Sequence, residues 1–445
     1  MILYRALQPL LLAVFGVLAN VLRLTPGLRA KTRKLWTTWD IRYVKGRPAF
    51  LGIDPILFGG AQPIWIHAAS GEFEYAKPVI REIRERSAVP ILVTYFSPTY
   101  AENVQKFPGV TASCPLPLDS RDELESFIQH LKPKALLIAR TDAWPNTVTA
   151  AHDHQIPILL FSATFHDQSK RLRGFGKSLT RATLQKLSLI QCVTEEDREI
   201  LSLIGVTKTV VAGDSRYDQV LARLATAPSV TVRGQLSSAR KVIHDRALVA
   251  GSVWSEDLAP VVTASKATQE RHPHTLIIVP HEISESFLRE IEATCERLGF
   301  AKSRIARLSK LNAAYESALD VLIVDAIGLL AELYRLGEVA FVGGSFRKTV
   351  HSVMEPLAAG CLTIVGPLHS NNREAIEFQK ERSTAYDIAY VTAVTDAAGF
   401  TTALTKAWTA TETPGHKAAV ADQVARRAGA TAHVVRWLSE QKLIE

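Results

Sequence analysis

Cysteine is scarce in this chain, and the few that occur do not cluster. Cys114, Cys192, Cys295 and Cys361 lie far apart in 445 residues, with neither a CxxC pair nor histidines at metal-ligand spacing. A structural zinc is therefore not expected, and a reducing compartment is. Short-period repeats and low-complexity tracts are missing too, so any doubling must be of whole domains. Aromatic residues are 7% of the chain. They do not interleave with the cations in any stripe on which single strands would stack, and no nucleic-acid partner is expected.

Hydrophobic residues make up 47% of the sequence and charged ones 22%. A chain this long fills more than one core, because single cores stop growing near roughly 250 to 300 residues. The formal charge of +8 favours anionic partners without choosing among them. Residues Ala6 to Leu22 are apolar except for Gln8 and Asn20, and Arg23, Arg29, Lys31, Arg33 and Lys34 follow. This reads as a membrane anchor with a basic flank over residues 1–35, the remainder lying on the cytoplasmic side and phospholipid being a partner. At about 1.5 Å per residue the run barely spans a ~30 Å hydrocarbon layer, so a spanning and an interfacial helix both stay open. A cleaved signal peptide fits less well, since Arg5 is the whole charged n-region and no A-x-A site ends the run.

Beyond the anchor, short β-branched runs alternate with amphipathic stretches. The runs begin at Ile64, Ile91, Ala135, Ile158, Leu189 and Val210, and each reads as a buried parallel strand. Residues 219–245 interrupt the alternation with a polar, Ala/Ser/Arg-rich composition; a second series then starts at Leu248, Leu276, Val321, Val339 and Leu362. The expected fold class is α/β, with two doubly wound, Rossmann-like domains over residues 36–225 and 226–445. Helical sequence from Lys417 to Lys442 closes the chain and is a candidate to pack back on the first domain.

In open parallel sheets ligands bind beyond the carboxyl ends of the strands. Two loops there stand out. In His67-Ala68-Ala69-Ser70-Gly71-Glu72-Phe73, Ser70 and Gly71 suit a tight turn and Glu72 would project from the first helical turn toward an interdomain cleft. Carboxylates also stabilise helix N-termini by about 0.3 to 1 kcal/mol, which by itself explains many such glutamates. The second loop is Gly343-Gly344-Ser345-Phe346, followed by His351 to Pro356 and by Gly366 to Asn371. Its glycines permit close approach of backbone N–H groups to a phosphate, and Glu355 is placed to accept from ribose hydroxyls. A plain glycine turn between strand and helix is the other reading of the same residues.

Six motifs in one order carry a resemblance: Trp65 to Phe73, Trp144-Pro145-Asn146, Gly213 to Asp218, Ala250-Gly251-Ser252, Val342 to Phe346 and His351 to Pro356. Together they resemble the 3-deoxy-D-manno-octulosonic acid (Kdo) transferases, membrane-anchored enzymes that attach Kdo from CMP-Kdo to the lipid A precursor. The resemblance implies the glycosyltransferase B architecture, with the lipid A precursor bound mainly by the first domain and the CMP-Kdo donor by the second. It implies Glu72 as general base, with Ser70, Gly71 and Asp142 at the acceptor; apart from the resemblance, the basic residues Lys77 and Arg81 near the Glu72 helix are, with the basic flank, candidates for an acceptor phosphate or ordinary solvated surface charges. At the donor it implies Ser252, His281, Gly343, Gly344, Ser345, His351, Ser352, Glu355 and Asn371. The sequence departs from the family at several strand ends. The Ser70-Gly71 turn is one residue shorter, the family's E-x-E-x-W-P-N reads Arg140-Thr141-Asp142-Ala143-Trp144-Pro145-Asn146, and a P-R-H turn reads Pro280-His281-Glu282.

The mechanism so implied is direct displacement: Glu72 deprotonates an acceptor hydroxyl, that oxygen attacks the anomeric carbon of Kdo, and CMP departs with inversion. No Asp-x-Asp follows a strand, and neither a metal nor a cofactor is expected. The implied location is the cytoplasmic face of the inner membrane. Two rivals remain at this stage: a related enzyme using a UDP-sugar for a lipid-linked acceptor, and a catalytically silent membrane-bound binding protein.

Overall fold

The computed structural model describes residues 4, 37, 40–44, 46–167, 169–311, 318–383 and 387–444. The apolar run from Ala6 to Leu22 and its basic flank lie outside these residues. Among the described residues no helix is long and apolar enough to cross a membrane. The chain divides into two compact units, Met1–Gln219 with Ala428–Glu445, and Val220–Arg427.

The first unit is built on seven parallel strands: β1 (Ile64–His67), β2 (Ile91–Tyr95), β3 (Ala112–Pro115), β4 (Ala135–Ala139), β5 (Ile158–Ala163), β6 (Leu189–Cys192) and β7 (Thr209–Val211). Their order in the sheet is β3-β2-β1-β4-β5-β6-β7. Side chains alternate across a strand, so each apolar run feeds two cores at once. Trp65, Leu92, Leu136, Ile138 and Leu160 pack on one face with Phe127 and Leu187. Ile64, Ile66, Val93, Leu137 and Leu159 pack on the other with helix α1 (Phe73–Arg86). The final helix of the chain, Ala430–Glu440, adds Val434, Val435, Trp437 and Leu438 to that second face.

The second unit repeats the plan with β8 (Ala247–Val253), β9 (Thr275–Pro280), β10 (Ile305–Arg307), β11 (Val321–Ile323), β12 (Val339–Val342), β13 (Leu362–Val365) and β14 (Val391–Ala393). These are again all parallel, in the order β10-β11-β9-β8-β12-β13-β14. The polar stretch from residue 219 to 245, which interrupts the strand pattern in the sequence, is helical: Ser215–Ala225 and Val230–Val242 are its two helices. All four cysteines are buried and unpaired, and burial pushes each thiol up to about 12. At neutral pH they are inert apolar fillers.

In both sheets the connections run outward in opposite directions from a central pair, β1 with β4 and β8 with β12. That reversal opens a crevice beyond the carboxyl ends of the pair, the place where such sheets bind ligands.

Candidate functional site

At the β1/β4 reversal, the last residue of β1 and the loop after β4 meet. His67 Nε2 lies 2.9 Å from Asp142 Oδ2, and His67 Nδ1 lies 3.0 Å from Thr94 Oγ1. Thr94 Oγ1 also accepts from the Trp65 indole N–H at 2.8 Å. The Asp142 carboxylate can only accept, so the bond between them puts an N–H on His67 Nε2, and in that tautomer Nδ1 accepts from the Thr94 hydroxyl. Burial works to raise the Asp142 carboxyl, but the His67 hydrogen bond and the charge of Arg171 outweigh it and hold the group below the usual aspartate range. Asp119 reinforces the loop, accepting from the N–H groups of Asn146 and Thr147 at 3.1 and 2.7 Å where helix Pro145–Asp153 begins. The Trp144-Pro145-Asn146 motif is thus a helix start anchored to a neighbouring loop.

Glu72 stands at the start of α1, as the sequence places it. Its Oε2 accepts from both the N–H and the hydroxyl of Ser70, each at 3.0 Å, while among the described residues Oε1 has no partner. The carboxylate lines a cavity of about 580 Å³ together with Arg140, Asp142, Trp144, His166 and Arg171 and with Leu160, Leu172, Leu179 and Leu184. The wall therefore combines polar and cationic side chains with apolar ones. Arg140 holds a left-handed backbone, φ 61°, and its guanidinium lies 5.0 Å from the Tyr75 ring. Such a conformation costs a non-glycine residue energy, and it is found most often where a site dictates it. Gly71 faces the Tyr100 hydroxyl, which an added Cβ would meet at 3.4 Å, an ordinary contact. Lys77 stands apart from the cavity wall: it pairs with Glu74 at 2.5 Å and lies over the Phe73 ring. Arg81 donates to the Gln219 side chain.

The second unit concentrates its polar groups at the β8/β12 reversal. Gly343 is forced there by contact, because a Cβ on it would fall 2.3 Å from the Ser252 carbonyl oxygen. Ser252 itself has φ 55°. The Gly343 N–H bonds the Gly251 carbonyl at 2.8 Å. The N–H groups of Gly344 and Phe346 donate to the buried carboxylate of Asp257, at 2.8 and 3.1 Å, and that of Trp254 joins them at 2.9 Å. Ser345 Oγ donates to the Val342 carbonyl and accepts from Gly366 N–H. The glycine turn expected to offer its N–H groups to a phosphate thus has those of Gly343, Gly344 and Phe346 engaged within the protein.

Side chains crowd this turn. His351 stacks on His281 with ring centroids 4.7 Å apart, His281 stacks on Trp254 at 4.3 Å, and Arg347 Cζ lies 3.8 Å over the Trp254 ring. Burial, with the neighbouring His281, lowers the His351 pKa. Asn371 clamps Val350 from both sides, accepting from its N–H at 3.2 Å and donating to its carbonyl at 3.1 Å. Glu355 Oε1 receives Arg223 at 2.6 Å, and Ser352 Oγ accepts from Met354 N–H at 3.4 Å.

The structure gathers Ser70, Gly71, Glu72 and Asp142 at one sheet end of the first unit. It gathers Ser252, His281, Gly343 to Ser345, His351, Ser352, Glu355 and Asn371 at the corresponding end of the second. Lys77 is outside the first group. Sequence reasoning missed Trp254, Asp257 and Arg347. The one signal was a carboxylate, Asp257, four residues after the end of the strand that carries Gly251-Ser252-Val253, in the first turn of the helix Ser255–Gln269.

Comparisons with known proteins bear on the same regions. Residues 39–219 match the family model described as 3-Deoxy-D-manno-octulosonic-acid transferase (kdotransferase). The 3-deoxy-D-manno-octulosonic acid transferase of Aquifex aeolicus (strain VF5) is 26% identical over 329 residues, 73% of this chain and 82% of that protein. The protein of that name from Bordetella pertussis is 29% identical over 325 residues, 71% of this chain and 73% of its own. Among solved structures, UDP-GlcNAc 2-epimerase from Neisseria meningitidis bound to UDP-GlcNAc superposes with a TM-score of 0.58 at 14% identity, over 85% of this chain and 99% of that one. At that identity the likeness shows the fold alone.

Proposed function

We propose, from the premise that this chain belongs to the Kdo transferase family and is a glycosyltransferase, that it moves Kdo from CMP-Kdo to a lipid A precursor, lipid IVA. The observation that carries the proposal is the Glu72 carboxylate. One oxygen is fixed by Ser70 and the other has no partner among the described residues, on a cavity at the sheet end where ligands bind. Oε1 takes the proton of an acceptor hydroxyl; the oxygen so exposed bonds to the anomeric carbon of Kdo; the bond from that carbon to the CMP phosphate breaks, and CMP leaves with the electron pair and with inversion. General base catalysis is worth about 10² to 10⁴ in rate.

The amphipathic wall of the cavity supports an acceptor that is both charged and acylated, with Arg140 and Arg171 among its cationic side chains. In the second unit Ser252, His281, His351, Ser352 and Glu355 surround the donor, and the glycine turn and Asn371 fix their positions. Glu355 keeps one oxygen for a ribose hydroxyl while Arg223 holds the other. Ala6 to Leu22 anchors the chain at the cytoplasmic face of the inner membrane; removal of residues 1–35 should release the protein from membrane pellets.

Lipid IVA incubated with CMP-Kdo, and separately with UDP-sugars, followed by mass spectrometry of the lipid, tests the assignment. Addition of Kdo from CMP-Kdo alone is expected. Transfer from a UDP-sugar and none from CMP-Kdo would overturn it.

A further inference from the structure

We propose that Arg347 is the residue of this chain that receives the anionic part of the donor. The inference rests on the reading of the donor as CMP-Kdo and adds a residue to it.

Three facts carry it. The first is how little the glycine turn has left to offer an anion. The N–H groups of Gly343, Gly344 and Phe346 are engaged by the Gly251 carbonyl and by Asp257. An incoming phosphate would also meet the Asp257 carboxylate directly behind that turn. Among the described residues the Ser345 N–H is the one the turn leaves open, so most of the neutralisation of a donor anion falls to side chains.

The second is the way Arg347 is presented. The Gly344 carbonyl accepts from the N–H groups of Arg347, Lys348 and Thr349, at 3.1, 2.9 and 3.1 Å, so the loop turns sharply about one oxygen. Six residues on from Gly344, Asn371 clamps Val350 at both its N–H and its carbonyl. A segment fixed at both ends holds the arginine backbone in place before any ligand arrives, and preorganisation of this kind reduces the entropy lost on binding.

The third is the state of the side chain. The guanidinium lies 3.8 Å over Trp254, which stacks on His281, which stacks on His351. It is 44% exposed, and its Nε faces Glu256 Oε1 at 3.6 Å. Among the described residues its two terminal nitrogens have no partner. A planar fork lying on an aromatic ring with its outer N–H groups open is suited to a carboxylate or a phosphate, and lysine would not reproduce it. CMP-Kdo offers both anions, the phosphodiester and the sugar carboxylate.

The test is calorimetric titration of the full chain and its Arg347→Ala and Arg347→Lys variants with cytidine, CMP and CMP-Kdo. Cytidine, lacking both anions, should bind all three proteins alike, which also reports that the variants are folded. If the phosphate is the partner, CMP binding to Arg347→Ala weakens about tenfold or more, with Arg347→Lys restoring only part. If the carboxylate is the partner, CMP is unaffected and CMP-Kdo weakens by that factor. Equal affinities of wild type and Arg347→Ala for both CMP and CMP-Kdo would remove Arg347 from the site and leave the donor assignment standing. A wild-type protein that binds neither CMP nor CMP-Kdo would bring down both.

Discussion

Glu72 is held by one oxygen and open at the other, so its amide is a near-isosteric probe of its chemistry. Glu72→Gln should lower kcat by about 10² or more while the thermal unfolding midpoint stays near that of wild type; retained turnover in a folded variant would end its assignment as the base. Asp142 gives a prediction in pH. Its folded pKa is depressed, so its contribution to stability is complete above the unfolded value, roughly pH 4, and disappears as pH falls through the lower folded value. Asp142→Asn should therefore show a shallower loss of stability than wild type below roughly pH 4, read from melting temperatures across that range. Both residues were legible because each follows a recognisable strand. Asp257 was not, since nothing in a linear reading tells that a carboxylate at position 257 meets N–H groups at 344 and 346. Arg347 looked like any loop arginine until its ring contacts were known.

At the level of elements, the strands that read clearly are, apart from the exposed edge strand β7, those covered on both faces, where most residues are apolar. β3, β10 and β14, all at sheet edges, went unseen: Ala112–Pro115, Ile305–Arg307 and Val391–Ala393 are short and chemically mixed. The helices Ser215–Ala225 and Val230–Val242 were hidden by polar faces that point to solvent. The Gly343 turn was foreseen as a close approach to phosphate; the close approach is real, but the neighbour is the Ser252 backbone. Gly343→Ala would set a methyl group 2.3 Å from a carbonyl oxygen and 2.9 Å from the Val253 Cα, which has no flexible side chain to yield. Overpacking of this sort costs about 1 to 3 kcal/mol. The variant should unfold at lower denaturant and lose CMP binding; unchanged stability would show that the β8/β12 contact has slack.

For the whole molecule the main fact is that the chain leaves the first unit and comes back to it. The returning helix Ala430–Glu440 buries Val434, Val435, Trp437 and Leu438 against the face that carries Ile64 and Ile66. Deleting residues 428–445 should speed amide exchange in β1 and β5 while β8, β9 and β12 keep their protection; equal loss in both units would mean that they melt as one. The doubled strand series suggested the two-unit plan, and the helical sequence that closes the chain was a candidate to pack back on the first domain; which face it covers is a tertiary matter with no local signature. The return is secured by Asp218, whose carboxylate accepts from the Gly429 N–H at 2.6 Å and from the Thr431 N–H and hydroxyl at 2.8 and 2.7 Å. Outgoing and incoming segments are thereby buckled together at a single aspartate, and the second unit becomes a long excursion from an otherwise continuous body. A few-residue splice joining the segment after Asp218 to the one before Gly429 would replace that excursion with a short bridge, so the first unit could be made as a free-standing protein.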